Sequence, residues 1–254
     1  MTDPQDLTSE HQLDLALAAE LQAALLPRSC PTGCPQQVAA ARNRMCATIG
    51  GDFHDFMPLN ADQIAIVVGD VVGHGVRASL LMAQTMGFLR SMSPQRRSRP
   101  TEVVRALNQM LIELGDRTNT VLPCTIFYAV IDSPSGVTFF VNAGHPRPFL
   151  CSDGSCQPLA APQNPLLGVQ PFEPEEDCIT FSPGQRLVLY TDGLSDAMDP
   201  ASNRFGELRL RDLVHAHASD APQPCADAIF AAVDAYRQGA PQRDDETVVV
   251  IDRL

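Results

Sequence analysis

Short apolar runs that lie beside aspartates constrain the fold of this chain more than any other feature of its sequence. Residues 64–68 (IAIVV) are followed by Gly69 and Asp70, and residues 187–191 (LVLYT) are followed directly by Asp192. Runs this short, rich in β-branched residues and without a helical period, predict buried strands. The two aspartates are therefore expected at the tips of strands.

Further aspartates lie beside an apolar run or beside glycines, at two other places along the chain. Asp244 and Asp245 come just before residues 247–251 (TVVVI), and Asp52 follows a pair of glycines. Carboxylates at the strand tips of one core can converge, and each like-charged pair at about 5 Å then costs about 3 kcal/mol. A cluster of four therefore favours cations, and two divalent ions would neutralise it. All-carboxylate donors suit Mg²⁺ or Mn²⁺ better than Zn²⁺.

A pair of such ions points to phosphate chemistry. Two metals can clamp a phosphate and lower the pKa of a bridging water for in-line attack. Positioning and electrostatics supply most of the catalysis in phosphoryl transfer, so no covalent nucleophile is needed. The sequence has no Cys-x5-Arg and no GxxxxGK[ST] motif, which leaves a thiol phosphatase and a P-loop NTPase unsupported.

Alternating patterns along the chain predict strands and helices of one mixed domain. Strands are predicted at 64–68, 125–131, 137–141, 186–190 and 247–251, and the second and third form a hairpin around residues 132–136. Helices are predicted at 7–26, 75–92, 101–114, 205–218 and 224–237, with Ser9 and Thr101 as caps and residues 91–100 as a loop. Hairpins together with separate helices indicate antiparallel sheets covered by helices.

The first 35 residues are expected to form a helix and a linker, ahead of a domain at 36–254. Leucines and alanines between Leu13 and Leu25 make an apolar stripe, Pro27 ends the helix, and residues 28–37 are rich in proline. The stripe fits a dimerisation or regulatory helix, which could form a homodimer or bind a regulatory partner. The alternative is a helix that packs on its own domain.

Composition excludes some classes of function. Thirty acidic residues against 18 lysines and arginines give a net charge of −12, which argues against nucleic-acid binding. No run of 18 apolar residues predicts a membrane span, and the acidic start is unlike a secretion signal, so a cytoplasmic location is expected. The eight cysteines form no CxxC pair and are expected to be reduced.

Five motifs in series, and a preceding helix, resemble one known family. The chain is similar to the SpoIIE-like (RsbU-like) branch of the PPM, or protein phosphatase 2C-like, superfamily over residues 13–254. The matching stretches are GGDFHD (50–55), GDVVGHG (69–75), NAGHP (142–146), YTDGLSDA (190–197), DDET (244–247) and the helical ELQAALLP (20–27).

The resemblance implies an α+β fold, a PPM-type four-layer α-β-β-α sandwich of two antiparallel sheets flanked by helices. It also implies two Mn²⁺ or Mg²⁺ ions at one end of the sandwich. The implied metal ligands are Asp52, Asp70, Asp192 and Asp244, the backbone carbonyl of Val71, and Asp245 as a support or alternative ligand. Asp70 and Asp192 are also the residues on which catalysis is expected to depend.

Other positions of the motifs leave roles open. His74 is a candidate general acid, or a loop histidine that fixes the turn; Val72 occupies the place of the histidine proposed for that role in eukaryotic PPM enzymes. His145 is expected to be structural. Asp196 replaces the usual glutamate of its motif. Arg42 or Arg44 could meet the substrate phosphate, or be a plain surface arginine.

Family members dephosphorylate phosphoserine or phosphothreonine of anti-anti-sigma (STAS) proteins in partner-switching pathways, and the resemblance implies such a partner here. It also implies that the two helices at 75–92 and 101–114 act as a switch on Asp70. Two other function classes stay open. One is a catalytically weak phosphatase-like module that binds a phosphoprotein, and the other is a two-metal nuclease or nucleotide hydrolase.

Overall fold

A computed structural model describes residues 4–30, 36–152, 154–159 and 164–254. The helices of these residues are α1 (Pro4–Leu25), α2 (Val76–Ser91), α3 (Pro94–Arg97), α4 (Pro100–Thr118), α5 (Asp192–Ser195), α6 (Glu207–Ala216) and α7 (Pro222–Arg237). The strands are β1 (Gln37–Arg44), β2 (Phe53–Pro58), β3 (Gln63–Val71), β4 (Cys124–Asp132), β5 (Val137–Ala143), β6 (Phe149–Ser152), β7 (Ser155–Pro158), β8 (Asp177–Thr180), β9 (Arg186–Tyr190) and β10 (Glu246–Arg253).

The strands form two five-stranded antiparallel sheets. Sheet A has the order β1-β10-β9-β6-β7, and sheet B has the order β2-β3-β4-β5-β8. Consecutive strands β2 to β5 pair as a meander, whereas β1 pairs with the last strand of the chain. The first and last strands of the chain therefore lie side by side in sheet A.

Three apolar clusters hold the sandwich together. The central cluster lies between the sheets, where Phe127 and Phe140 of sheet B stack and pack with Leu189 and Val249 of sheet A. A second cluster joins sheet B to α2 and α4, and a third joins sheet A to α6 and α7. The order of layers is thus helix, sheet, sheet, helix. No helix of the described residues is both long and apolar enough to cross a membrane.

Helix α4 shows how the sequence builds the outer layer. Val103, Leu107 and Leu111 recur at helical spacing and are buried against sheet B. The predicted helix at 101–114 is confirmed, but the prediction of Thr101 as its cap is wrong. Pro100 begins the helix, since proline lacks the N–H that the first turn leaves unpaired anyway. Helix α4 runs on to Thr118, and Asn119 ends it in a left-handed conformation.

Several elements differ from the sequence prediction. All five predicted strands and five predicted helices are present, but Ser9 lies inside α1, and α3 occupies part of the predicted loop at 91–100. Strands β1, β2, β6, β7 and β8 were not predicted. Half of the linker expected at 28–37, residues 31–35, lies outside the described residues.

The expectation of reduced cysteines is wrong for one pair. Cys151 and Cys156 form a disulfide within the β6–β7 hairpin, where they face each other in register. A spacing of four residues does not reveal a bridge unless the hairpin that brings the two thiols together is itself predicted.

Replacement of Leu107 by Ala should lower the free energy of unfolding by about 2–5 kcal/mol, because it leaves a cavity between α4 and sheet B. The matched change Leu208→Ala removes the same atoms from a side chain that is 68% exposed, and should change stability by less than about 0.5 kcal/mol. Urea unfolding followed by circular dichroism measures both. Equal losses in the two variants would contradict this account of the core.

Candidate metal centre

Strand register brings the sequence-predicted acids to one end of each sheet. In sheet B, Phe53 at the start of β2 pairs with Gly69 near the end of β3, so Asp52 and Asp70 lie close to the same edge. In sheet A, Val248 near the start of β10 pairs with Tyr190 at the end of β9. The end of sheet A at which β9 ends and β10 begins therefore carries Asp192, Asp244 and Asp245. Asp70 itself is inside β3 rather than beyond its tip.

The carboxylate of Asp52 joins the two edges. It is buried, and its Oδ2 accepts hydrogen bonds from the hydroxyls of Thr191 (2.7 Å) and Thr247 (2.6 Å), both in or beside strands of sheet A. The Thr191 hydroxyl also accepts the backbone N–H of Thr247. These hydrogen bonds place the acidic ends of sheets A and B next to each other.

Asp245 fixes the loop that leads to Asp52. Its two carboxylate oxygens accept the backbone N–H groups of Cys46 (2.7 Å) and Gly51 (2.6 Å). A Cβ atom at Gly50 would lie 2.1 Å from Oδ2 of Asp245, and one at Gly193 would lie 1.9 Å from its carbonyl oxygen. Only glycine fits at these two positions, which explains the glycines of the first and fourth motifs.

Gly51 keeps open the space beside Asp70. A Cβ at this position would lie 2.6 Å from the carbonyl oxygen of Val71 and 3.4 Å from Oδ1 of Asp70. The backbone N–H of Val71 donates to the Gly51 carbonyl (3.4 Å). The carbonyl of Val71 and the carboxylate of Asp70 therefore face the same glycine, as expected of two neighbouring oxygen donors.

The acids of the site raise one another's pKa values. Burial and then the charge of Asp70 raise the pKa of Asp52 well above its usual range. Burial, followed by the charges of Asp192, Asp244 and Asp245, raises the pKa of Asp70 to about 7. Loss of solvent and neighbouring carboxylates also raise the pKa values of Asp192 and Asp244. Each acid is within electrostatic reach of others in the group.

This donor set fits a hard divalent cation, since carboxylate and carbonyl oxygens are the ligands that Mg²⁺ and Mn²⁺ prefer. A bound cation would offset the unfavourable free energy that arises from mutual repulsion among the acids. In the described part of the chain, however, no three acidic, histidine or cysteine side chains already converge as the cage of a single ion.

A cleft of about 390 Å³ opens beside the acids. Its lining includes Asp70, Asp192, Asp196, His145 and Arg147. Asp196 binds Arg204 (2.9 Å) at the rim. The cleft places two of the candidate ligands on a surface that a phosphate group from outside could reach.

His145 supports the wall of this cleft. The ring is buried, its Nδ1 lies 2.9 Å from the Thr125 hydroxyl, and its backbone N–H donates to Oδ1 of Asn142 (2.9 Å). Burial lowers the pKa of His145 to about 3, so the ring is neutral at neutral pH. These contacts agree with the structural role expected from the sequence.

His74 lies in the exposed loop between β3 and α2, within electrostatic reach of Asp244. The suggestion that Arg42 or Arg44 meets the substrate stays a prediction. Arg42 pairs with Asp227, and Arg44 pairs with Asp234 and Glu246, and neither arginine lines the cleft.

Two features of the site were not predicted from the sequence. The side-chain amide of Gln22 in α1 donates to the carbonyl of Gly50 (2.7 Å) and accepts its N–H (3.0 Å), so helix α1 is attached to the loop before Asp52. Arg147 lines the cleft because it follows directly on the NAGHP motif. A lone glutamine or arginine carries no signal of this kind before the fold is known.

Comparisons with known proteins agree with this architecture. A family model described as "Stage II sporulation protein E (SpoIIE)" matches residues 60–254. The chain is 28% identical to Protein IcfG of Synechocystis sp. over 96% of its length, and 25% identical to the phosphoserine phosphatase RsbP of Bacillus subtilis over 80%. It spans 42% and 49% of these relatives, less than half of each.

A solved structure supports the fold independently. The SiaA-PP2C domain of Pseudomonas aeruginosa superposes with a TM-score of 0.83, with 98% of each chain covered at 22% sequence identity. The expected α+β sandwich of the PPM type is thereby confirmed.

Repulsion within the site predicts how stability depends on pH in metal-free protein. The folded pKa of Asp70 lies near 7, above its unfolded value, so the folded state binds more protons between these values. Stability contributed by protonated Asp70 is present below about pH 4 and is lost as pH rises through 7. The melting temperature in chelator should therefore fall over this range.

Replacement of Asp70 by Asn should flatten that dependence, and should raise the melting temperature at pH 7.5 by about 3 °C or more, since 1 kcal/mol corresponds to about 2–4 °C in a chain of this size. Asp62→Asn, at an exposed position outside the site, should behave like the wild type. Differential scanning calorimetry in chelator tests this. If Asp70→Asn melts below the wild type at pH 7.5, the carboxylates do not repel one another as described.

Proposed function

The chain belongs to the SpoIIE family of PP2C-type phosphatases, and from this premise we propose that it is a cytoplasmic, metal-dependent protein phosphatase. The proposed reaction is hydrolysis of phosphoserine or phosphothreonine on a partner protein. One observation supports it above the others: acids from four distant parts of the sequence meet beside a cleft and raise one another's pKa values.

The proposed ligands of two Mn²⁺ or Mg²⁺ ions are Asp52, Asp70, Asp192, Asp244 and the carbonyl of Val71. When bound, such ions supply positive charge for the phosphate and lower the pKa of a water molecule. Asp245 is a weaker candidate ligand, because both of its oxygens already accept backbone N–H groups. Its proposed task is to position the loop of Asp52.

The chain's own residues prepare this site. Thr191 and Thr247 engage one oxygen of Asp52 and so orient the carboxylate. Neutral His145 keeps the cleft wall in place through Thr125. His74, in the exposed loop near Asp244, remains the proposed donor of a proton to the leaving serine or threonine oxygen.

We infer the substrate class from the family. A phosphorylated STAS-domain anti-anti-sigma protein is the proposed partner, in a partner-switching pathway. The name of RsbP as a phosphoserine phosphatase supports hydrolysis over mere binding. The second candidate is a weak phosphatase-like module that sequesters the phosphoprotein. A net charge of −12 disfavours a nuclease.

The decisive change is the loss of a single charge from the acid cluster. Asp70→Asn and Asp192→Asn should each lower Mn²⁺-dependent dephosphorylation by at least about 10²-fold, because each removes part of a charge clamp worth several kcal/mol. Release of phosphate from candidate phosphorylated STAS proteins is measured with Mn²⁺ and with chelator. Asp62→Asn serves as the control with the same change of charge.

Full activity in chelator would refute metal dependence. Tight binding of the phosphoprotein without phosphate release by the wild type would favour the sequestering module. A wild type that degrades nucleic acid but releases no phosphate from proteins would support the nuclease alternative instead.

We also propose that residues 1–35 form a regulatory unit, separate from the domain at 36–254, and that α1 pairs with α1 of a second copy of the chain. Leu13, Leu17 and Leu21 recur every four residues on α1 and are 61%, 50% and 71% exposed. A helix rarely leaves such a stripe in water when it packs only on its own domain. The bonds of Gln22 to Gly50 then connect this stripe to the loop of Asp52.

A charge placed in the stripe should break the dimer. Leu17→Glu is expected to shift the full chain from dimer to monomer at micromolar concentration, whereas Leu208→Glu, at a more exposed position on α6, should leave the dimer intact. Sedimentation velocity distinguishes the two. A monomeric wild type, or an unchanged dimer in Leu17→Glu, would refute pairing through α1.

A further inference from the structure

Arg147 lies on the segment that connects the two sheets at the acidic end of the sandwich. Residues 144–148 leave β5 in sheet B and enter β6 in sheet A. Phe149 at the start of β6 pairs with Val188 in the middle of β9, and the antiparallel register puts the residues before Phe149 on the side of the β9 end at Tyr190. The crossover therefore passes over the edge at which Asp70 and Asp192 lie, and Arg147 lines the same cleft as both acids.

The charges around the cleft leave this arginine available. Asp196 at the rim is already bound to Arg204. Within the described ranges, Arg147 itself has no hydrogen bond or ion pair, and its side chain is exposed. It is nevertheless close to the end of β9, since its positive charge acts on the buried hydroxyl of Tyr190, two residues before Asp192.

The backbone on either side of Arg147 is held in place. Pro146 and Pro148 flank it and restrict the backbone, the latter by favouring an extended conformation at the residue before it. One residue further back, His145 is fixed by Asn142 and Thr125. An arginine presented from such a segment loses less freedom when it binds a ligand than one on a mobile loop.

We propose that Arg147 binds the phosphoryl group of the substrate in this cleft. The inference rests on the proposed phosphatase function and adds a residue that recognises the substrate. A guanidinium donates two parallel hydrogen bonds to phosphate oxygens, which a carboxylate-lined cleft without it could not offer.

The test compares Arg147→Ala, Arg147→Lys and the control Arg117→Ala. Arg117 lies in the last turn of α4, is exposed and does not line the cleft. Its replacement by Ala removes one positive charge, as Arg147→Ala does, but away from the site. Two substrates are used with Mn²⁺, a small aryl phosphate and a phosphoserine peptide. Binding of inorganic phosphate to the Mn²⁺-loaded protein is measured separately by calorimetry.

For Arg147→Ala we expect KM to rise at least about tenfold for both substrates, and the affinity for inorganic phosphate to fall by a similar factor, as for a lost charge-assisted hydrogen bond. Arg147→Lys should be intermediate, because it keeps the charge but not the paired donors. Arg117→Ala should match the wild type in every measurement.

The inference is overturned if Arg147→Ala binds inorganic phosphate as tightly as the wild type does. A rise in KM confined to the peptide also overturns it, because the arginine would then contact the peptide rather than the phosphate. If the wild type releases no phosphate from either substrate, the proposed function fails. Phosphate titration of the same variants still decides the role of Arg147.

Discussion

The buried carboxylate of Asp52 is the interaction on which the rest of this end of the molecule depends. It enters from the loop before sheet B and accepts hydroxyl hydrogen bonds from Thr191 and Thr247 of sheet A. A buried charge is tolerated only where hydrogen bonds or counter-charges compensate for the lost hydration. Two hydroxyls compensate partly, and the nearby charge of Asp70 adds to the cost. The carboxylate of Asp52, which joins the two sheets at this end, is therefore stable only when it binds a proton or has further positive charge nearby.

This incomplete compensation links stability to function. A structure optimised for stability alone would place apolar or neutral side chains where the acids meet. Retaining carboxylates whose pKa values are raised by burial and by one another is typical of functional sites. The glycines around the acids also favour the site over apolar packing, since there is no room for a side chain at Gly50 or Gly193 beside Asp245. Backbone is packed closely there to bring oxygen atoms together, not to bury apolar surface.

The sequence predicted what depends on local pattern and missed what depends on partners far along the chain. Strands β3, β4, β5, β9 and β10 are apolar runs and were predicted. Strand β1 was missed because its alanines and arginines form a strand only by pairing with β10, more than 200 residues later. Four of the acids were found because each lies beside a strong strand, namely Asp70, Asp192, Asp244 and Asp245, whereas Asp52 was found from the pair of glycines before it. The ion pairs of Arg42 and Arg44 were not predicted, because nothing local reveals Asp227 and Asp234 on α7 as their partners.

Attachment of α1 to the site follows the same logic of shared backbone. Gln22 bonds both to the N–H and to the carbonyl of Gly50, and the next residue, Gly51, donates to Asp245. Arg90 of α2 binds the carbonyl of Leu25 at the end of α1, and also binds Asp55, three residues after Asp52. A displacement of α1 therefore reaches the loop of Asp52 by two separate routes. The position of this helix is therefore coupled to the position of Asp52, although α1 carries none of the acids of the site.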